Sequence, residues 1–193
     1  MKQYLFHIND LKPEEYKKCI SLMTKSRKAY INTVTNEERK RVSVAGEWIA
    51  KKAIAEKTGL PLEDIEVLRT QKGKPYVNIP DIHISISHSS SFVAVAIANK
   101  PIGIDIEVIK PLDLKVADRV CSQSDKQLLS LSKDKDEALI NFLKIWTAKE
   151  AYFKMTGTGI TNIKGISYKD IPAVHSIKDS LIITVVKNQK SLE

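Results

Sequence analysis

The clearest chemical signal in this sequence is a pair of carboxylates two residues apart, in Gly103-Ile104-Asp105-Ile106-Glu107. In a β-strand alternate side chains share a face, so Asp105 and Glu107 project the same way, with Cα atoms about 6.6 Å apart. Gly103 lies on that face and removes bulk beside them. Like charges this close are unfavourable unless a cation sits between them. Mg²⁺, which takes a few carboxylates and fills its octahedron with water and phosphate oxygens, suits such a pair. An exposed edge strand with a solvated acidic face suits it as well. A second group, Glu150 and Lys154 in Trp146-Thr147-Ala148-Lys149-Glu150-Ala151-Tyr152-Phe153-Lys154, is spaced i,i+4 on one helix face. As a surface ion pair it is worth about 0.2–0.5 kcal/mol. Opposite two strand carboxylates, Glu150 becomes a third metal ligand or a base, and Lys154 a phosphate contact. Ser87 ends an alternating strand and His88 opens a polar turn, where serines and backbone N–H groups can hold phosphate, although a lone histidine is more often structural. Lys72 and Lys74 flank Gly73 in a loop and offer point charges to a phosphate or to solvent. There is no Gly-x-Ser-x-Gly elbow, which argues against a serine hydrolase.

Those side chains need elements to position them. Residues 4–8 read as a strand and 13–23 as a helix, followed by a charge-dense stretch over 24–41. Ala45, Trp48, Ile49, Lys52 and Ala53 repeat at helical spacing, predicting a helix over 42–58 that Gly59 terminates. Residues 61–65 form a turn or helix start, 67–70 a strand and 71–75 a loop. Ile82, Ile84 and Ile86 alternate with polar residues, 92–98 is apolar on both faces, and 102–108 alternates again. Strand, turn, strand, turn, strand predicts an antiparallel meander. Helices are expected over 111–120, 124–132 and 139–156, the last stopped at Gly157, and strands over 165–168 and 180–187. No internal repeat shows by residue identity, although a coarse order of helix then strands recurs in both halves. The chain divides most naturally near Pro101.

Composition bounds the rest. The 193 residues are 42% hydrophobic and 28% charged, with 7 Gly and 7 Pro, which excludes a disordered or collagen-like chain. No apolar run reaches the ~20 residues of a membrane helix, and the N-terminus lacks the apolar core of a signal peptide. Cys19 and Cys121 have no metal-type spacing and read as reduced thiols of a cytoplasmic protein. The net charge is +8, and the first hundred residues carry most of it, 17 basic against 11 acidic side chains. Such an excess is commonly a solvated surface. It otherwise suits an anionic partner, such as nucleic acid, a phosphorylated small molecule or an acidic protein.

Taken in order, Gly73-Lys74-Pro75, then Ile84-Ser85-Ile86-Ser87-His88-Ser89, then residues 101–107, then the Trp146 to Lys154 run with Gly157-Thr158-Gly159 behind it, resemble the 4′-phosphopantetheinyl transferase superfamily, and most of all its surfactin-type branch. The likeness covers about residues 70–160 and, more loosely, 40–60. It implies an α+β fold, a pseudo-dimer of two similar α/β subdomains at 1–101 and 102–193, with the ligand cleft between them. It also implies transfer of the phosphopantetheine arm of coenzyme A to a serine of an apo acyl or peptidyl carrier protein, with Mg²⁺ required and adenosine 3′,5′-bisphosphate released. By the same resemblance Asp105, Glu107 and Glu150 are the metal-binding acids, and Lys74, Ser87, His88 and Lys154 contact coenzyme A. Arg27, Lys28 and Arg41 supply cations for its 3′-phosphate. Asp105, Glu150 and Lys154 form the catalytic group: Lys154 offsets charge on the leaving bisphosphate and Glu150 accepts the serine proton. A cytoplasmic monomer acting on an acidic carrier, with no nucleic-acid or membrane partner, follows. A non-catalytic coenzyme A-binding relative and a basic nucleic-acid-binding module are the alternatives, and the second lacks a basic helix stripe, a zinc pattern or an RNA-binding aromatic motif.

Overall fold

Which strands pair, and not merely where strands form, decides the architecture. The computed structural model describes residues 1–188, and the chain divides into two compact units, Met1–Pro101 and Ile102–Glu193. Both are α+β, each with a long helix packed on an antiparallel sheet.

In the first unit β1 (Lys2–His7) leads through α1 (Pro13–Ser21), α2 (Lys25–Thr33) and α3 (Glu37–Thr58) to the short β2 (Leu68–Arg69) and β3 (Pro75–Tyr76), then to β4 (His83–Ser89) and β5 (Phe92–Ala98). The main sheet has the order β1-β5-β4. β5 is its centre, buried from Val93 to Ala98, which explains an apolar residue at every position. The charge-dense stretch turns out to be helical. Thr24 accepts from the Arg27 backbone N–H and Asn36 from that of Arg39, so α2 and α3 each start on a side-chain cap.

The second unit runs β6 (Ile102–Val108), α4 (Ala117–Val120), α5 (Gln123–Ser130), α6 (Lys135–Thr156), β7 (Ala173–Lys178) and β8 (Leu181–Lys187), with sheet order β6-β8-β7. The expected meander therefore breaks after β5. β1 already occupies the edge of β5 that β6 would need, and β6 pairs with β8 instead, Asp105 opposite Thr184. Residues 165–168 are not a strand: short 3₁₀ turns lie at Ile163–Gly165 and Tyr168–Asp170. β7 gave no sequence signal because it is an exposed edge strand with little alternation. Among the described residues no helix is long and apolar enough to cross a membrane.

The two units repeat one frame that residue identity concealed. α3 and α6 are both 22 residues long and both end on a left-handed glycine, Gly59 and Gly157. Each carries a tryptophan, Trp48 or Trp146, and three residues on a fully buried lysine, Lys51 or Lys149. Each lysine donates to a backbone carbonyl 14 residues further along, Ile65 or Ile163. The buried lysine of the first unit is thus Lys51, whereas Lys52, expected among the apolar positions, bridges to Glu15 at the surface. The charges beside the lysines are reversed. Lys52 and Glu56 in α3 stand where α6 has Glu150 and Lys154, and Glu56 accepts from Lys2 and Tyr4 of β1 where Lys154 donates to Asp105 of β6.

Two contacts fix α6. Gly103 lets it close on β6: a Cβ built there would overlap the carbonyl oxygen of Ala151 and crowd the Met155 nitrogen. On its far side Lys149 Nζ lies 2.6 Å from Asp125 Oδ2 and donates to the carbonyls of Val120 and Ile163. Burial works to raise the Asp125 pKa, but Lys149 and the N–H groups of Tyr168 and Ser122 more than offset it, leaving the carboxyl below its usual range.

Replacing Gly103 by Ala is expected to lower the unfolding free energy by about 1–3 kcal/mol, because the obstructing atoms are backbone and cannot rotate away. Unchanged urea unfolding in Gly103→Ala would contradict this packing. Asp125→Asn leaves a buried ammonium without counter-charge and is expected to cost about 3–5 kcal/mol at neutral pH. Since Asp125 titrates low in the folded state, its contribution is complete above the ordinary carboxylate pKa and fades as pH falls through the folded value. The gap between wild type and Asp125→Asn in chemical unfolding should accordingly narrow in strong acid.

Candidate active site

One stripe of α6 faces the acid-bearing side of β6. Trp146, Glu150 and Lys154 recur every four residues, close to one helical turn, and so line up along the helix. Opposite them, Asp105 and Glu107 share a strand face with Gly103. Lys154 Nζ lies 2.5 Å from Asp105 Oδ1, and Trp146 Nε1 donates to Glu107 Oε1 at 3.2 Å. Glu150 lies within the field of both strand acids. Burial, then the Asp105 charge, pushes its pKa up to about 7, with Lys154 opposing and Glu107 adding a smaller push. The structure thus brings Asp105, Glu107, Glu150 and Lys154 together. Among the described residues, however, no group of three or more His, Cys, Asp or Glu side chains is gathered closely enough to hold a metal ion. Asp105 is engaged by Lys154, and Glu107 by the indole.

The second constellation lies within the first unit. A cavity of about 650 Å³ is lined by residues that include Arg27, Ser43, Arg69, Tyr30, Tyr76 and His88. Arg27 Nε donates to Glu47 Oε2 at 2.8 Å, its Nη2 donates to Ser43 Oγ at 2.6 Å, and its guanidinium sits 4.9 Å from the Tyr30 ring centre. Arg69 Nη2 approaches the same Glu47 oxygen at 3.8 Å. Burial, and then the neighbouring Arg27 charge, push the Arg69 pKa down to about 10. Lys74 sits between Gly73 and Pro75, both in the cavity wall, and burial lowers its pKa. A wall of guanidinium, hydroxyl and imidazole groups can bind a phosphorylated ligand.

Not every expected cation reaches this cavity. Lys28 Nζ donates to the Ser21 carbonyl at 2.8 Å and is absent from the lining. Arg41 is spent on structure: its Nε donates to the Ile8 carbonyl and its Nη2 to that of Leu11. It lines a different cavity, of about 570 Å³, with Asn9, Tyr16 and Glu38 among others. Two residues along a helix turn through roughly 200°, so Arg41 and Ser43 point to opposite sides of α3. Ser87 is buried on the face of β4 opposite Ile86 and His88, which line the cavity. The strand continues past His88 to Ser89 instead of turning there.

Ser43, Tyr30, Glu47, Arg69 and Tyr76 escaped the sequence reading. Arg27 and Tyr30, at i,i+3, and Ser43 and Glu47, at i,i+4, carry a helical signal that became readable only once Thr24 and Asn36 were recognised as caps. Arg69 carries none, since a two-residue strand has no periodicity.

A family model described as 4′-phosphopantetheinyl transferase superfamily matches residues 101–192, and one described as 4′-phosphopantetheinyl transferase, N-terminal, matches residues 10–100. The chain is 42% identical over 123 residues to the 4′-phosphopantetheinyl transferase psf-1 of Bacillus pumilus, an alignment covering 63% of this chain and 52% of that protein. It is 36% identical over 132 residues to the 4′-phosphopantetheinyl transferase gsp of Aneurinibacillus migulanus, covering 68% and 54%. It is 32% identical over 163 residues to the 4′-phosphopantetheinyl transferase Sfp of Bacillus subtilis strain 168, covering 83% and 72%. The chain thus spans about half the length of the first two relatives.

The electrostatics of the acid cluster are directly testable. In metal-free protein, Lys154→Met should move the Glu150 titration above about 7, and Asp105→Asn should move it below, as followed by carboxyl ¹³C chemical shifts. Titrations that stay put in both variants would show that the three acids do not share a field.

Proposed function

The chain belongs to the 4′-phosphopantetheinyl transferase superfamily, and from that premise we propose that it transfers the phosphopantetheine arm of coenzyme A to a serine of an acidic apo acyl or peptidyl carrier protein. The convergence of Asp105, Glu107 and Glu150 with Lys154 carries this reading. The acids fit Mg²⁺ by their chemistry. They are oxygen donors on a strand and a helix; burial and, after it, repulsion from Asp105 raise the Glu150 pKa, and a divalent cation offsets both. Asp105, Glu107 and Glu150 would hold the ion, which when bound neutralises and polarises the coenzyme A diphosphate.

The chain's own residues account for the rest. The carrier's serine oxygen bonds to the β-phosphorus, and the bond from that phosphorus to the oxygen of adenosine 3′,5′-bisphosphate breaks. Lys154 stabilises the negative charge building on that leaving group. Glu150, which α6 turns toward the acid cluster, takes the serine proton. Arg27, Lys74 and His88 bind the anionic nucleotide of coenzyme A in and around the first unit's cavity. The net charge of +8 favours encounter with an acidic carrier. A cytoplasmic monomer completes the reading, and the two buried free cysteines, Cys19 and Cys121, suit a reducing compartment.

Incubation with coenzyme A, Mg²⁺ and a panel of apo carrier proteins should add a phosphopantetheine mass to at least one of them. Asp105→Ala should cut that rate by several orders of magnitude, and chelation of the metal should abolish it. Coenzyme A binding without transfer to any carrier would point to a non-catalytic relative, and full activity of Asp105→Ala would remove the acids from the mechanism.

A further inference from the structure

β8 is apolar on both sides of one residue, Thr184, in Leu181-Ile182-Ile183-Thr184-Val185-Val186. Thr184 is fully buried, where valine has nearly the same shape and no polar atom to satisfy, so the hydroxyl calls for a reason. Strand pairing aligns His175 of β7, Thr184 and Asp105 of β6 in one row, and side chains paired across an antiparallel sheet share a face. Facing that row, Thr147 of α6 is also fully buried and lies 2.5 Å from Thr184, Oγ1 to Oγ1. His175 Nδ1 lies 2.8 Å from Thr184 Oγ1, and the Tyr168 hydroxyl lies 3.0 Å from His175 Nε2.

Counting protons gives this chain a direction. A hydroxyl carries one proton. Thr147 gives its own to the Leu143 carbonyl at 2.8 Å, so it accepts from Thr184. Thr184 has then used its proton and accepts from His175 Nδ1–H. Burial, and then the Lys144 charge, hold the His175 pKa below its ordinary value. The ring therefore carries a single N–H at neutral pH, and Nε2 accepts from the Tyr168 hydroxyl. The chain runs from Tyr168 through His175 and Thr184 to Thr147, one residue from Trp146 and three from Glu150.

We propose that His175, as the Nδ1–H tautomer, is a positioning residue for the acid cluster: through Thr184 and Thr147 it holds α6 on β8 at the level where Trp146 meets Glu107 and Glu150 meets Asp105. Directed hydrogen bonds between buried groups specify one arrangement where apolar contact would allow several. Lys149 of the same helix pairs with Asp125, which accepts from the Tyr168 backbone N–H, so Tyr168 anchors both holds. The effect on transfer rests on the coenzyme A reading, whereas the positioning does not.

The test compares wild type, His175→Leu and His175→Asn by ¹⁵N–¹H NMR without metal, and by steady-state kinetics with coenzyme A, Mg²⁺ and an apo carrier protein. The asparagine amide nitrogen stands in for Nδ1 and keeps the donor, and leucine removes it. Wild type should show the Nδ1–H tautomer at His175. His175→Leu should shift the Trp146 indole N–H resonance and lower kcat about tenfold or more, with KM for coenzyme A within about twofold. His175→Asn should restore both. If His175→Leu does not fold, Thr184→Val against Thr184→Ser is read in the same way. An Nε2–H tautomer in wild type, an unmoved Trp146 resonance in His175→Leu, or equal losses in the leucine and asparagine variants overturns the proposal. Wild type that transfers to no carrier removes the coenzyme A reading instead, and the tautomer and indole resonances still decide the positioning.

Discussion

The second unit depends on how closely the backbone of α6 approaches that of β6. At Gly103 the two chains lie within a methyl group's width of overlap. From that point the strand runs on to Asp105 and Glu107 while the helix runs back through Lys154 and Glu150 to Trp146. Side chains as short as aspartate can then reach across, and three carboxylates fall within one another's fields. The cost of crowding them is visible in Glu150, whose acidity is suppressed by burial and by Asp105. Packing sets this proximity, and the proximity sets the chemistry.

On the other side of α6 the buried Lys149–Asp125 pair does structural work of a different kind. Lys149 gathers carbonyls from the end of α4 and from the turn at Ile163, and Asp125 gathers N–H groups from the start of α5 and from Tyr168. Segments with little regular structure are thereby tied to the helix that carries Glu150. Adjacent residues of α6 thus serve opposite ends, Lys149 turned to the scaffold and Glu150 to the acid cluster.

Much of this was legible from residue order. The alternation in Gly103 to Glu107 and the i,i+4 spacing of Glu150 and Lys154 are local patterns, and local patterns survive folding. Other features depended on partners far along the chain. The meander failed because the edge it needed is filled by β1, a hundred residues upstream of β6, and nothing within 82–108 records that. Arg41 and Arg27 look alike in sequence, yet one is absorbed by the carbonyls of Ile8 and Leu11 and the other faces a cavity. Arg69 was invisible because it lies on a two-residue strand and meets Glu47 of α3, 22 residues earlier in the chain. Gly103 removes bulk beside the acids, as its place in the alternation implies, and the structure fills that room with the backbone of α6.

The repeated frame also bears on stoichiometry. Trp48, Lys51 and Gly59 reproduce the scaffold of Trp146, Lys149 and Gly157, but where the second unit presents Glu150 the first presents Lys52. An ammonium there repels a divalent ion as firmly as a carboxylate attracts it. Reversing the polarity of one helical stripe, with the framework otherwise intact, gives two units built on one frame, in which the buried lysine is followed by an ammonium in the first and by a carboxylate in the second.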